Sequence, residues 1–381
     1  MKRIMAKDSK TSSNGPDNLV SIAGRFKPRH AIARVREYGS GNVNDTFLVT
    51  VDTGDEEKFI LQRINTRVFR RPELVMRNMR LVTEHVREHL LRAPLGEGRR
   101  WEIPSVLPAD GGHDYWIDPE GSFWRAISFI DNSRSFDTIN GIGHAGEIGY
   151  ALGTFHNLVS DLPAANLGDT LEGFHITPLY LNHYDEVLAG LRNKSKSPEA
   201  KYCSRFIEGR RESVRVLENA KTRGTLKLQP IHGDPKVNNV MIDSSTGQAV
   251  SIIDLDTVKP GLVHYDIGDC TRSCCNPMGE APERWAEVRF EPDLCRAILL
   301  GYFSTAKDFF TEGDRAYLYD AIRLIAFELA LRFFTDYLEG NVYFKVNHPE
   351  HNLLRALVQF KLTESIESQA GAIRAIIGDM G

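Results

Sequence analysis

The stretch IHGDPKVNNVMID, residues 231–243, constrains this chain more than any other. It sets His232, Asp234, Lys236, Asn238 and Asn239 between two short apolar runs, a density of polar side chains that suits neither a plain strand nor a plain helix. Its flanks predict how such a loop is held. TLKLQP enters as an extended segment, VNNVMID leaves as a strand, SSTG turns, and QAVSIIDLD returns. In a hairpin centred on that turn, residues equidistant from it face each other. Asn239 starts the outgoing strand and Asp254 ends the returning one, so both come back to one edge, with Asp234 in the loop just before it. The spacing predicts that these three side chains converge.

That trio suits one chemistry. Mg²⁺ is a hard ion that takes oxygen ligands, often one or two carboxylates together with substrate phosphates and water. Asn239 and Asp254 supply such oxygens, and Asp234, left unliganded, can accept a hydroxyl proton. Phosphoryl transfer needs this apparatus, because positioning and charge neutralisation supply most of its catalysis. A turn closed by local Asx hydrogen bonds accounts for Asp234 and Asn239 alone, but leaves the second acidic motif unexplained.

The rest of the composition narrows the class. A chain of 381 residues suffices for two domains or for one domain with two lobes. Its net charge of −4, from 47 basic and 51 acidic residues, creates no strong field for nucleic acid or an anionic membrane, and a small-molecule partner is expected. The five cysteines, Cys203, Cys270, Cys274, Cys275 and Cys295, are odd in number and lack paired zinc spacing, so they read as buried or idle thiols. No run of about 18 apolar residues is present to span a membrane. The first 17 residues read as a flexible polar tail without the apolar core of a secretory signal, and the expected setting is cytoplasmic.

Along the chain, Ile32–Tyr38, Thr46–Val51 and Lys58–Ile64 predict a β-meander, followed by a helix over RPELVMRNMRLVTEHVREHLL. IPSVLPADGG, HDYWIDPEG and SFWRAISFID predict three more strands. The remainder reads as helical, beginning with EIGYALGTFHNLVSDL, where Ile148, Leu152, Phe155, Val159 and Leu162 form one stripe and His156 reads as a structural histidine. The expected fold class is α+β: a tail over 1–17, a small sheet-rich lobe over 18–132, and a larger, mostly helical lobe over 133–381.

H-G-D-P-K-V-N-N matches the kinase catalytic-loop pattern H-R-D-x-x-x-x-N, with Asp234 and Asn239 at the required spacing. Glycine after the histidine is typical of the aminoglycoside phosphotransferase-like kinases, and IIDLDTVKPGLVHYDIGD resembles their second motif, with Asp254 in the place of the protein-kinase DFG aspartate. IIDLDTVKPG, RFFTDYLEGNVYF and PEHNLLR also resemble segments of the bacterial N-acetylhexosamine 1-kinases, and the likeness runs from about Ile32 to the C-terminus. The resemblance implies a two-lobed, protein-kinase-like fold with ATP in the cleft and Mg²⁺ on Asn239 and Asp254. It implies phosphate contacts from the loop GSGNVND, through Gly39, Gly41 and Asn42, and a hinge over SFIDNS, with Ser128 and Ile130 meeting adenine. Asp234 becomes the base and Lys236 a source of charge.

Two departures stand out. Gln62 occupies the third-strand position that protein kinases give to a phosphate-binding lysine, and neighbouring Arg63 points to the opposite face. The helix acid that would pair with such a lysine is Glu84 or Glu73. Asp256 is either a second metal ligand or a turn former. Asp266 and Asp269 are expected to hold the loop by accepting backbone N–H groups, with Asp269 and Arg272 reaching substrate as the alternative, and His232 to brace it. Arg332, Asp336 and Tyr337 share one helix among aromatic residues. They form either an acceptor site for a sugar or, for Arg332 and Asp336, an intrahelical ion pair. The expected activity is an ATP- and Mg²⁺-dependent kinase for a small-molecule acceptor, first the anomeric hydroxyl of an N-acetylhexosamine. A kinase for choline, homoserine, methylthioribose or an aminoglycoside, and a catalytically dead nucleotide-binding protein, are the alternatives.

Overall fold

A computed structural model of the chain describes residues 16–39, 43–53, 57–96, 98–191, 197–306 and 309–380. The chain forms two compact units, one of residues 1–87 with 103–131 and one of residues 88–102 with 132–381. The first holds α1 (Pro16–Gly24), β1 (Ile32–Glu37), β2 (Asp45–Val51), β3 (Lys58–Ile64), α2 (Pro72–Arg92, its last turn in the second unit), β4 (Val106–Leu107), β5 (Trp116–Ile117) and β6 (Phe123–Ser128). The second begins with β7 (Ser133–Arg134), α3 (Gly141–Val159), α4 (Thr177–Gly190), α5 (Pro198–Glu208), α6 (Val216–Thr222), β8 (Gln229–Ile231) and β9 (Val240–Asp243). It continues with β10 (Ala249–Ile252), β11 (Lys259–Gly261), α7 (Val263–Cys274), α8 (Pro292–Thr305), α9 (Glu312–Arg315), α10 (Leu318–Glu339), α11 (His351–Ser368) and α12 (Ala370–Gly378). The composition is mixed α+β, with the sheet early and the helices late, as the sequence pattern predicts.

In the first unit the strands run antiparallel in the order β1-β2-β3-β6-β4, with β5 also on β6. Side chains alternate across a strand, which divides the sheet into two faces. Phe47, Val49, Phe59, Leu61, Trp124 and Ala126 form one core with Ile22, Ala23 and Phe26 from α1 and the turn after it. The sequence motifs predict no element over residues 18–31, yet Leu19, Ile22, Ala23 and Phe26 carry a helical apolar stripe that the sheet needs to cover this face. The opposite face carries Gln62 and Arg125, which stand directly across from each other on β3 and β6.

The second unit is organised by a close helix crossing. A Cβ added at Gly149 or Gly153 on α3, or at Gly301 on α8, would fall inside contact distance of Ile298, Tyr302 or Gly146 backbone atoms. These glycines let α3 and α8 approach backbone to backbone, and that brings His156 of α3 to Tyr302 of α8 (His156 Nδ1 to the Tyr302 hydroxyl, 2.9 Å). Residues 88–102, expected within the first lobe, belong here. Arg99 makes two hydrogen bonds to Glu147, of 2.7 and 2.9 Å, and Glu102 N donates to Val250 O. The five cysteines are free and buried. No helix among the described residues is long and apolar enough to cross a membrane.

The crossing yields a direct test. Gly149→Ala should lower stability by about 2–3 kcal/mol through overpacking, read by equilibrium urea unfolding. Gly143→Ala, in the same helix with nothing within 4 Å of its added Cβ, is the control and should be neutral or stabilising. Equal effects at both positions would show that the approach of α3 to α8 is not tight.

Candidate functional site

The polar loop that follows β8 is held from below by one carboxylate. Asp266, fully buried on α7, accepts His232 N at 2.7 Å and Gly233 N at 2.8 Å. Its third donor is His156 Nε2 at 2.9 Å. Burial alone would push this carboxyl up, but His156, His232 and the Gly233 N–H outweigh it and hold Asp266 below the usual carboxylate range. Gly233 has φ +88°, and a Cβ there would stand 2.7 Å from Thr257 O, so only glycine fits between the histidine and the aspartate. Thr257 Oγ1 closes the loop by donating to His232 O at 2.8 Å.

His232 braces from within. Its Nε2 donates to Ile253 O at 2.9 Å and its Nδ1 accepts Asp234 N at 3.3 Å, a neutral tautomer. Burial pushes its pKa below the ordinary histidine value. Residues 237–239 form a 3-10 turn where the sequence pattern predicts the start of a strand, and β9 begins at Val240. Ile252 pairs with Val240 across the hairpin and Ile253 N donates to Asn239 O at 2.8 Å. Asp254 follows at φ +65°, so the expected return of Asn239 and Asp254 to one edge is present in the backbone.

At that edge Lys236 Nζ donates to Asp234 Oδ2 at 2.7 Å. Burial opposes the lysine's charge, but Asp234, Asp254 and Asp269 raise its pKa above the usual range. Asn239 Nδ2 donates to Asp234 O at 2.7 Å, which turns its amide oxygen away from Asp234. The residues present fit a hard divalent cation: Asn239 brings an amide oxygen and Asp254 a carboxylate to one hairpin edge. Asp256 is buried in the 3-10 turn after Asp254.

A second brace is not legible in the motifs. His175, at φ +65°, reaches Gly233 O with Nε2 at 2.8 Å and Glu328 of α10 with Nδ1 at 3.0 Å. Thr177 Oγ1 donates to the other Glu328 oxygen at 2.7 Å. These residues lie far apart in sequence, so no local pattern marks them. Asp269 pairs with Arg272 one turn along α7, Nη2 to Oδ1 at 2.7 Å, rather than with the loop backbone among the bonds observed.

One turn beyond Glu328, the Arg332 guanidinium sits among the rings of Phe174, Tyr180, Tyr343 and Phe344, with centroids at 5.1, 5.0, 6.0 and 5.4 Å. Asp336 does not pair with it. Its carboxylate accepts the N–H groups of Val342 at 2.8 Å, Tyr343 at 2.7 Å and Phe344 at 3.0 Å. Asn352 Nδ2 adds a fourth donor at 2.8 Å. Asp336 is therefore a loop anchor rather than the ion-pair partner of Arg332, and it seats two of the rings around Arg332. Tyr337 stacks on Phe334, with centroids 6.3 Å apart.

In the first unit, Gly39 takes φ +76° at the turn after β1, while Gly41 and Asn42 lie outside the described residues. Ser128 ends β6, its Oγ accepting Ser105 N at 2.9 Å, and Ile130 is buried. The passage from the first unit to the second falls between Asp131 and Asn132, within the expected hinge segment. Gln62 binds Arg125: its Oε1 accepts Arg125 Nε at 2.9 Å and Nη2 at 2.7 Å, and its Nε2 donates to Thr46 Oγ1 at 3.0 Å. Neither expected helix acid is involved. Glu73 is exposed, and Glu84 pairs with Arg80 at 2.9 Å. Sequence reasoning misses Arg125 because only strand register brings it to Gln62.

Comparison with known proteins places this geometry in context. The model of the APH family, described as the phosphotransferase enzyme family, matches residues 34–297. An aminoglycoside phosphotransferase from Alicyclobacillus acidocaldarius superposes with a TM-score of 0.57 at 15% identity, over 94% of each chain. A choline kinase from Cryptosporidium parvum gives a TM-score of 0.56 at 13% identity, over 90% of this chain and 92% of its own. Amicoumacin kinase hAmiN, solved with AMP-PNP, Ca²⁺ and Ami, gives 0.53 at 15% identity over 88% of each. At these identities the likeness is one of fold.

The second brace carries a pH signature. Burial would lower the His175 pKa, but Glu328, Asp269 and the Gly233 carbonyl raise it above the ordinary 6.5. A raised pKa contributes stability that is complete below the unfolded value and is lost as pH rises through the folded one. His175→Gln should therefore cost about 1–3 kcal/mol at acid pH, and the gap to the wild type should narrow toward alkaline pH. A gap in Tm that does not change with pH would exclude a charged His175.

Proposed function

The chain belongs to the APH phosphotransferase enzyme family, and from that premise we propose that it transfers the γ-phosphoryl group of ATP to a hydroxyl of a small sugar. The anomeric hydroxyl of an N-acetylhexosamine is the first candidate. The observation that carries this reading is the braced loop, in which Asp234, Lys236 and Asn239 share one hydrogen-bonded cluster at the hairpin edge that bears Asp254. Asp234 takes the acceptor's hydroxyl proton as that oxygen bonds to the γ-phosphorus, and the bond from the γ-phosphorus to the bridging oxygen breaks to release ADP. Lys236 leaves Asp234 for a phosphate oxygen as the acceptor enters. Asn239 and Asp254 would hold Mg²⁺, which supplies charge neutralisation on the phosphate oxygens. Gly39, Gly41, Asn42 and Gln62 serve the phosphates, and Ser128 and Ile130 the adenine.

The acceptor reading rests on Arg332. A ring of aromatic side chains is a favourable site for an amine or a quaternary ammonium. Here the chain's own guanidinium fills it, which favours a neutral, hydroxyl-rich acceptor over choline or an aminoglycoside. The likeness to choline kinase and aminoglycoside phosphotransferase structures supports a small-molecule acceptor in general. Five free, buried thiols support a reducing, cytoplasmic setting.

The test is ADP release with Mg-ATP against N-acetylglucosamine, N-acetylgalactosamine, glucose, galactose, mannose, choline, homoserine and kanamycin, with phosphorus NMR to locate the product phosphate. Turnover on an N-acetylhexosamine with an anomeric phosphate is expected. Asp234→Asn should abolish it while ATP binding persists, and Arg332→Ala should raise the acceptor KM about tenfold or more through the loss of charge-assisted hydrogen bonds. Preferred turnover of choline or kanamycin would replace the sugar, and near-normal turnover by Asp234→Asn would remove it as the base.

A further inference from the structure

Asp269 and Arg272 form an ion pair that is only half made. They lie one turn apart on α7, Asp269 5% exposed and Arg272 8%. One edge of the guanidinium meets a single carboxylate oxygen: Nε donates to Asp269 Oδ1 at 2.8 Å, and Nη2 lies 2.7 Å from the same atom. Asp269 Oδ2 has no hydrogen-bond partner among the described residues, and Arg272 Nη1 forms no hydrogen bond among them either. A buried ion pair stabilises a fold when its remaining donors and lone pairs are also met. Holding α7 together does not call for a guanidinium with an open edge.

The pair stands between the two places that the acceptor has to reach. Asp266, Asp269 and Ser273 are spaced by three and four residues and share one face of α7. Asp266 takes the His232 and Gly233 N–H groups, and Ser273 Oγ accepts Val237 N at 3.4 Å, so Asp269 lies between two contacts to the polar loop. On the α10 side, a Cβ added at Gly268 would stand 2.6 Å from Ile325 Cγ1 and 2.7 Å from Ala321 O. The two helices are close there, and Arg332 follows Ile325 by two turns along the same face of α10. Charge agrees with this placement. Burial works against the Arg272 cation, but Asp269, Glu280 and Asp234 hold its pKa above the usual range. Burial also works against Arg332, and Tyr180, Tyr343, Glu328 and Asp269 outweigh it.

We propose that Arg272 is a specificity-determining residue of the acceptor site, its open edge donating to a ring hydroxyl of the sugar that lies between Asp234 and Arg332. This rests on the sugar-kinase reading above. Asp269 is the positioning residue: by taking one edge of the guanidinium it fixes the direction of the other. A guanidinium has donors and no acceptor, so it recognises an oxygen lone pair. A sugar offers these on adjacent carbons, whereas choline has no oxygen beyond its reacting hydroxyl.

The decisive variant is Arg272→Lys. It keeps a cation for Asp269, so the unliganded Tm and the Mg-ADP Kd by calorimetry should hold. It has no second edge, so the KM of the sugar that the wild type turns over best should rise about tenfold or more. Monodeoxy analogues of that sugar give a readout that a structural pair would not move. The analogue without the recognised hydroxyl should lower kcat/KM about tenfold in the wild type, and Arg272→Lys should lose nothing further with it. The double variant Asp269→Asn with Arg272→Met removes both charges, so that neither is left buried alone, and should show the same acceptor defect even if Arg272→Lys folds poorly. An unchanged acceptor KM in these variants, or losses that simply add for every analogue, would overturn the proposal. If the wild type turns over none of the sugars, the reading above fails and takes this one with it. An active wild type with an indifferent Arg272→Lys removes only the role of this pair.

Discussion

The Asp266 carboxylate is the point on which the second unit's chemistry depends. It gathers two consecutive backbone N–H groups and a histidine from another helix, all within 2.9 Å. A buried carboxylate left unpaired would be strongly destabilising, so the three donors and the charge stand or fall together. The loop is thereby held from below, and Asp234 takes its place from that geometry together with its own bonds to His232, Lys236 and Asn239. The glycine crossing of α3 and α8 belongs to the same construction, because it brings His156 and Tyr302 to hydrogen-bonding distance beneath the carboxylate.

Much of this is legible in sequence because it is local. The loop motif, the hairpin that returns Asp254 to Asn239, the β-meander and the long amphipathic helices all follow from spacing and periodicity. The expected roles of His232 and Asp266 as braces agree with the bonds observed. What escapes depends on contacts between distant segments. Arg125 meets Gln62 through strand register. His175 reaches Gly233 from a loop whose sequence carries no signal. The helix α1 follows directly on a polar stretch of sequence that masks its signal, although its apolar stripe packs on one face of the sheet. Asp336 misleads for a different reason. Its spacing from Arg332 allows an ion pair, but three successive backbone N–H groups at a helix end offer a buried carboxylate a better set of partners.

The two units handle charge differently. Around the hairpin edge of the second, carboxylates and cations are interleaved: Asp234 with Lys236, Asp269 with Arg272. In the first, the buried Arg125 guanidinium gives two hydrogen bonds to the Gln62 amide oxygen.

Glu328, Arg332 and Asp336 follow one another at intervals of four residues on α10, and no two of them do the same thing. Glu328 steadies the polar loop after β8 through His175, Arg332 sits among the four aromatic rings, and Asp336 anchors the segment that brings Tyr343 and Phe344. A helix turns about 100° per residue. One residue inserted or deleted between the first and last of these would swing them onto different sides of the helix at once. A change of side chain in this region alters one of these contacts, whereas a change in the length of the helix displaces all three at once.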